Sequence, residues 1–298
     1  MTADELFLGV DGGGTQSRAR LADRAGRILG KGVAGPANIC LGLEASLAAV
    51  LDAARQCLAE AGLAAQALGR TVACLALAGA TEPAELAAAR AKRLPFRRTL
   101  ITTDAHAACI GAHRGRDGGV VIAGTGSVGW AILHGRQYRV GGWGLALSDE
   151  GSGAWLGREA MRRVLWAHDG RIAWSALLTR LFEQFDGDPY AIVRWAAMAR
   201  PADFGRLAPV VVEHMARNDP AAVELTRQAA RHMDALMARL IALGAERIAL
   251  VGGLAPYLEP RLARETRRHL VTPEGDALAG ALQLARADDA ALGEERVA

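Results

Sequence analysis

The sequence predicts an α/β protein of duplicated design, two lobes of mixed sheet and helix with a cleft between them. Three observations lead to this expectation. A strand meander near the start contains a glycine-rich turn at residues 11–15. A second meander, past residue 118, has a glycine-rich first turn at residues 124–127. Each meander is followed by apolar residues at helical spacing and then by further strand. The 298 residues, 51% of them hydrophobic, supply core for one large domain or two medium ones.

Residues 6–10 form a short apolar strand. After Asp11, Gly12, Gly13 and Gly14, residues 15–22 alternate polar and apolar with Ala19 and Leu21 facing inward, which makes a hairpin with a glycine-rich tip. A turn at 23–26 leads to a third strand, 27–33. Leu47, Val50, Leu51, Ala54 and Leu58 recur at helical spacing, and Gly62 stands where that helix should stop. Residues 70–78 read as a strand, and Thr81 as the cap of a helix reaching about residue 93, with Pro83 tolerated in its first turn. A strand at 97–102 and a helix opening at Asp104 complete a first lobe, residues 1–113.

The second lobe, residues 114–287, restarts with strands at 119–123, 128–134 and 137–141. Helices over 151–167, 173–185, 191–199, 206–217 and 221–243 follow as a helical insertion, then a strand at 247–251 and a helix over 258–269. The last helix, 276–287, is placed to pack back on the first lobe, and the polar residues 288–298 read as a frayed tail.

Composition excludes several functions. Lys and Arg number 35 against 32 Asp and Glu, a net charge of +3, so no single-sign field is available for a nucleic-acid backbone. Lys31 and Lys92 are the only lysines, a bias that genome composition explains. Arg261, Arg264 and Arg268 fall at helical spacing and read as a solvated helix face. Asp4 and Glu5 stand where a secretion signal carries basic residues. The longest stretch without Asp, Glu, Lys or Arg, 118–135, is broken by glycines, Thr125, Ser127 and His134, so no membrane span is expected. Cys40, Cys57, Cys74 and Cys109 show no ligand spacing and read as reduced core thiols of a cytoplasmic protein.

Five segments carry candidate chemistry. In the first, Gly12, Gly13 and Gly14 let backbone N–H groups approach a phosphate, the Thr15 hydroxyl adds a donor, and Asp11 can hold a Mg²⁺ through water. No Gly-Lys-Ser/Thr follows and no G-x-G-x-x-G opens a helix, which sets aside the commoner phosphate loops. The second, Gly124-Thr125-Gly126-Ser127, repeats that chemistry. Two such turns, one at the start of each half, would grip a polyphosphate from both sides, which favours a nucleotide as ligand. The third is Asp104, at a strand end and a helix start. It reads either as a helix cap or as a reacting group where α/β folds place them. The fourth joins Trp143, between glycines, to Asp149, and an aromatic face beside an acid and open backbone suits a sugar ring. The fifth, Gly252-Gly253, admits an adenine or ribose, or else serves close packing.

In this order GVDGGGT, PANICLG, LALAGA, TDAHAA, IAGTGS, GGWG, SDEGSG and VGGL, spread over residues 6–284, resemble the actin, heat-shock chaperone and sugar-kinase superfamily of ATPases. More narrowly they are similar to the N-acetylglucosamine and glucosamine kinases, in the family that includes the BadF/BadG/BcrA/BcrD activator ATPases. The resemblance implies a duplicated actin-like ATPase (ribonuclease H-like) fold that closes over substrate, with a nucleotide in the cleft. It also implies ATP and Mg²⁺ as cofactors, with transfer of the γ-phosphoryl group to the 6-hydroxyl of an amino sugar.

By position it puts the catalytic base on Asp104. The first phosphate loop falls on Asp11, Gly12, Gly13, Gly14 and Thr15, and the second on Gly124, Thr125, Gly126 and Ser127. Sugar contacts fall on Asn38, Gly79, Asp104, Thr125, Trp143 and Asp149, and the adenosine on Gly252 and Gly253. Ala78 departs from the serine that some members carry there. A small-molecule sugar is the implied partner, with neither nucleic acid nor membrane, and a homodimer is implied by the resemblance alone.

Two rivals come from other classes. An ATPase driving electron transfer to a partner enzyme holds an iron–sulfur cluster through paired cysteines, which this spacing does not supply. A sugar-sensing regulator needs a DNA-reading helix-turn-helix, for which the sequence has no segment. The substituent on the sugar nitrogen stays open between free amine, acetyl and lactyl-bearing rings, since Asp149 suits an ammonium as well as sugar hydroxyls.

Overall fold

The computed structural model describes residues 5–80 and 82–287. The cap expected at Thr81, the acidic start at Asp4 and the tail 288–298 therefore lie outside the described residues. In the first sheet β1 (Leu6–Gly12), β2 (Ser17–Ala22) and β3 (Ile28–Ala34) form an antiparallel meander. The helix α1 (Leu43–Glu60) then crosses to β4 (Thr71–Leu77), and α2 (Pro83–Arg90) to β5 (Arg98–Thr103), both strands parallel to β1. Parallel neighbours need such crossovers, whereas antiparallel ones need only a turn. The strand order is β3-β2-β1-β4-β5.

After α3 (Asp104–His113) the second sheet is built from β6 (Gly118–Ala123), β7 (Ser127–Leu133) and β8 (Arg136–Gly141). Six helices follow: α4 (Gly153–His168), α5 (Ala176–Glu183), α6 (Pro189–Met198), α7 (Pro201–Gly205), α8 (Ala208–Ala216) and α9 (Pro220–Ala242). Then come β9 (Ile248–Val251), the short α10 (Ala255–Leu258) and α11 (Arg264–Arg267), and α12 (Ala277–Arg286). The order β8-β7-β6-β9 repeats β3-β2-β1-β4, and a single parallel bridge from Ile248 to Leu270 stands where β5 stands in the first sheet. This repeated order is the duplication in structural form.

The chain divides into two compact units. One comprises residues up to Val120, Trp130–Tyr138 and from Thr272 onward; the other comprises Val121–Gly129 and Arg139–Val271. Among the described residues no helix is long and apolar enough to cross a membrane.

In the first unit the alternation along β1 fixes two cores. Leu6, Leu8 and Val10 pack with Leu75, Leu77 and the α1 residues Leu47, Val50, Ala54 and Leu58. Phe7, Val72, Cys74 and Ala76 pack on the other face with Ala107 of α3 and Ala281 and Leu282 of α12. The α3–α12 crossing brings backbone against backbone. A Cβ on Gly111 would lie 2.0 Å from the Asp276 carbonyl oxygen, and one on Gly280 would lie 1.9 Å from that of Ala107.

The helix expected over 258–269 is not continuous. Pro260 cannot donate an amide and clashes with the preceding turn in a helix interior, so α10 gives way to a 3₁₀ turn, Glu259–Arg261, and Leu262 is extended before α11. Arg261, Arg264 and Arg268 are exposed but do not share one helix face. Sequence periodicity also missed α7, whose five residues are too few for a repeating apolar stripe.

In the second unit Asp219 ties two helices together. Its carboxylate accepts the Ala221 and Ala222 amides that open α9, the Leu177 amide of α5 and the Ser175 hydroxyl, each at 3.0 Å. Burial alone would raise its pKa, but these donors together hold it below the ordinary carboxylate value.

Two outcomes follow for stability. Replacing Gly280 by Ala should lower stability by about 1–3 kcal/mol, because two backbones must separate, and a denaturant melt unmoved by the change would show that the crossing opens freely. A carboxylate with a depressed folded pKa stabilises above its unfolded pKa of about 3.9 and loses that contribution as pH falls through the folded value. Asp219→Asn should therefore melt lower than the native chain at neutral pH, the gap narrowing below about pH 4.

Candidate active site

Strands β1, β4 and β5 run parallel in register, with Gly12 beside Leu77 and Leu77 beside Thr103. Their carboxyl ends form one edge, each strand about 4.8 Å from the next. The chain leaving that edge carries the Gly13–Thr15 tip, then Ala78 and Gly79, then Asp104. Asn38 joins them through a parallel bridge to Ala78.

Asp104 is the first residue of α3, and the cap is Thr103, whose hydroxyl accepts the His106 amide at 3.0 Å. The cap reading of Asp104 is thus corrected by one residue, since only the extended backbone of Thr103 suits a cap. The Asp104 carboxylate accepts the Ala105 amide at 2.9 Å and lies at the positive end of the helix. The same turn is held by a 2.7 Å contact between the Thr102 hydroxyl and His106 Nδ1, and by stacking of His106 on Trp130 with ring centroids 6.3 Å apart.

Within the tip, the Gly13 amide donates to Gln16 at 3.0 Å, and Gly12 accepts the Ala78 amide at 2.7 Å. A Cβ on Gly12 would lie 2.7 Å from Leu77 Cδ2, whereas one on Gly14 would meet nothing within 4 Å. Gly12 and Gly13 therefore serve packing and the turn, and the open part of the tip is Gly14 with the exposed Thr15.

Asp11 faces Arg18 across the hairpin, and the Arg18 Nη2 donates to its Oδ2 at 2.6 Å, a charge-assisted bond that orients the carboxylate. Among the described residues no three His, Cys, Asp or Glu cluster into a metal cage. A nucleotide-borne Mg²⁺ needs only one or two carboxylates besides phosphate and water, a donor set that Asp11 fits.

Asn38 Oδ1 accepts the Cys40 amide at 3.1 Å and caps a short 3₁₀ turn. Gly79 closes against it at φ +79°, where a Cβ would lie 2.4 Å from Asn38 Oδ1 and 2.9 Å from Cys40 Sγ. Only glycine satisfies both the backbone angle and the close approach. Cys40, expected in the core, is exposed because this turn lies at the edge rather than over the sheet; Cys57, Cys74 and Cys109 are buried as expected.

In the second unit the turn of Gly124, Thr125, Gly126 and Ser127 is closed by the Gly124 amide on Gly126 at 3.0 Å. The start of α4 anchors it: Gly153 donates to the Gly124 carbonyl at 2.8 Å and Ala154 to that of Thr125 at 3.1 Å. Asp149 is buried against the turn, so close that a Cβ on Gly126 would lie 3.0 Å from its Oδ2. Burial, the dominant influence, raises the Asp149 pKa against the opposing pull of the Ser127 and Gly144 backbone.

Trp143 is 71% exposed. Gly252, at φ +103°, follows β9 so closely on Ala123 that a Cβ would lie 2.5 Å from its carbonyl oxygen, while Gly253 has open space around it. The second turn, Asp149, Trp143 and the Gly252-Gly253 pair thus belong to the second unit, and Asp11, Asn38, Gly79 and Asp104 to the first. Sequence reading missed Thr103, Arg18 and Arg139. Arg18 was legible as the cross-strand partner of Asp11, had the hairpin register been written out.

The profile of the BadF/BadG/BcrA/BcrD ATPase family matches residues 8–285. The chain belongs to the BadF/BadG/BcrA/BcrD ATPase family. Glucosamine kinase GspK of Vibrio cholerae is similar to this family member, 38% identical over 279 residues that cover 94% of this chain and 95% of that protein. An N-acetylmuramic acid/N-acetylglucosamine kinase of Clostridium acetobutylicum is 31% identical over 172 residues, 56% of each chain. The crystal structure of a candidate N-acetylglucosamine kinase from Chromobacterium violaceum superposes with a TM-score of 0.88 at 37% identity, covering 95% of this chain and 99% of that one. The fold of this ATPase is the duplicated actin-like α/β fold.

Burial pushes the Cys57 and Cys109 thiols up to about 12, and desolvation with Glu85 and Glu82 raises Cys40 as well. A chromogenic disulfide at pH 8 should therefore react slowly with one thiol of the native protein and with all four only in denaturant. A second thiol reacting in the native state would contradict the buried placement of Cys57, Cys74 and Cys109.

Proposed function

We propose that this chain is an ATP-dependent amino-sugar kinase, transferring the γ-phosphoryl group to the 6-hydroxyl of glucosamine or an N-acylated relative. The observation that carries the reading is the Asp104 carboxylate, held at the end of β5 on the same edge as Asn38 and Gly79. Identity of 38% to a glucosamine kinase along nearly the whole length supports it.

Asn38 commits its oxygen to the Cys40 amide, so the group it offers a sugar is its NH₂, a donor for a ring oxygen or hydroxyl. Asp104 accepts the proton as the sugar oxygen attacks the γ-phosphorus and the bond from that phosphorus to the bridging β-oxygen breaks, releasing ADP. Open backbone at Gly14, Thr15 and the Gly124–Ser127 turn binds phosphate oxygens, with Thr125 reaching the transferred group. Trp143 gives the sugar an apolar face, Asp149 accepts its hydroxyls or an ammonium, and Gly252 and Gly253 leave room for the adenosine. Asp11 would hold Mg²⁺, which when bound neutralises charge on the β- and γ-phosphates. The setting is the cytoplasm and the partner a small sugar. The partner-activating alternative draws no support from the cysteines, since Cys40 alone is exposed among the four.

A coupled ADP-release assay across glucosamine, N-acetylglucosamine, N-acetylmuramic acid and glucose tests the reading, and ATP hydrolysis indifferent to every sugar would end it. In Asp104→Asn, kcat should fall by about 10²- to 10⁴-fold, the range for a lost general base, while calorimetry still registers sugar binding. Unchanged turnover would remove Asp104 from the chemistry.

A further inference from the structure

Arg139, which precedes the double glycine at the end of β8, touches three successive features of the loop that follows. Its Nε donates to the Gly141 carbonyl at 3.1 Å, its Nη2 donates to the Gly142 carbonyl, and its guanidinium carbon lies 4.1 Å from the centre of the Trp143 ring. Gly141 and Gly142 both have positive φ, +73° and +70°, a path that brings both carbonyls within reach of one guanidinium. Farther along, Arg158 donates to the Leu145 carbonyl, so a second arginine anchors the same loop.

A large indole at the surface ordinarily folds onto apolar neighbours to leave water. Trp143 does not: with a guanidinium over its ring it remains 71% exposed. A cation over an aromatic face is attracted by the ring quadrupole, and the planar fork that makes the two carbonyl bonds also fixes where that cation lies. One face of the indole is thereby covered. The other is left as an apolar plate, on the loop that leads to the buried Asp149.

We propose that Arg139 is a positioning residue for the sugar. It clamps the Gly141-Gly142-Trp143 loop and covers one indole face, so that the substrate ring packs on the opposite face of Trp143. The proposal rests on the amino-sugar kinase reading for its ligand, but the clamp itself is a property of the free protein.

Arg139→Gln removes the charge and the fork, and Arg139→Lys keeps the charge without the fork. Because Arg139→Gln takes away two hydrogen bonds from a charged donor and the cation over the indole, KM for the amino sugar should rise about 10-fold. KM for ATP and kcat should stay within about twofold, as expected for weakened ground-state binding. Arg139→Lys should remain several-fold impaired, since an ammonium cannot reproduce the planar fork.

Independently of turnover, acrylamide quenching of Trp143, taken as the difference from the same protein carrying Trp143→Phe, should increase in Arg139→Gln as the covered face opens. A sugar KM unchanged in Arg139→Gln, full recovery in Arg139→Lys, or a parallel rise in both KM values with a lowered melting temperature would each overturn the proposal. If the native protein phosphorylates no amino sugar, the kinase reading fails by itself, and unaltered quenching would then overturn the clamp as well.

Discussion

Three parallel strands in register end at one edge, and the chemistry of the first unit depends on that constraint. Because β1, β4 and β5 share hydrogen bonds residue for residue, a shift of one strand by one position would carry its terminal segment to the other face. The register is in turn held by apolar alternation, Leu6, Leu8 and Val10 toward α1, Phe7 toward α3 and α12. The backbone crossing of α3 and α12 belongs to the same arrangement, since it seats the helix whose first residue is Asp104. The place of the Asp104 carboxylate at a strand end is therefore the outcome of core packing several turns away.

The second unit solves a similar problem by other means. Its glycine-rich turn is fastened by the first amides of α4, with Asp149 buried against it. The raised pKa of Asp149 records the cost of that burial, which outweighs the pull of the Ser127 and Gly144 backbone and the charge of Arg139.

What the sequence made legible followed from local rules. The meanders, the helices opening near 151 and 276, and the stop at Gly62 rest on residues within a few positions of one another. The edge that gathers Asn38, Gly79 and Asp104 was legible only through motif resemblance, because nothing local to Asn38 announces its bridge to Ala78. The packing demand at Gly12 was hidden for a related reason: the atoms that crowd its Cβ position belong to Ala37 and Leu77, residues distant in sequence. The helix expected over 258–269 broke at Pro260, whose missing donor and ring do not suit a helix interior. Arg139 left no sequence signal at all, because an arginine two residues before a glycine pair is unremarkable until the loop's carbonyls are seen to turn toward it.

For phosphoryl transfer the balance between these parts can be argued from magnitudes. A general base contributes about 10²- to 10⁴-fold, whereas holding reactants in line is worth effective molarities of about 10⁵–10⁸ M. The larger factor then lies with residues that touch no reacting atom. In the first unit Thr103 sets where the Asp104 turn begins, and Gly79 lets Asn38 close. A displacement of about 1 Å at any of them can cost on the order of 10²-fold, comparable to the lower bound for losing the base. Under the proposed mechanism, the residues that seat the Asp104 turn would by that measure matter as much as the carboxylate itself.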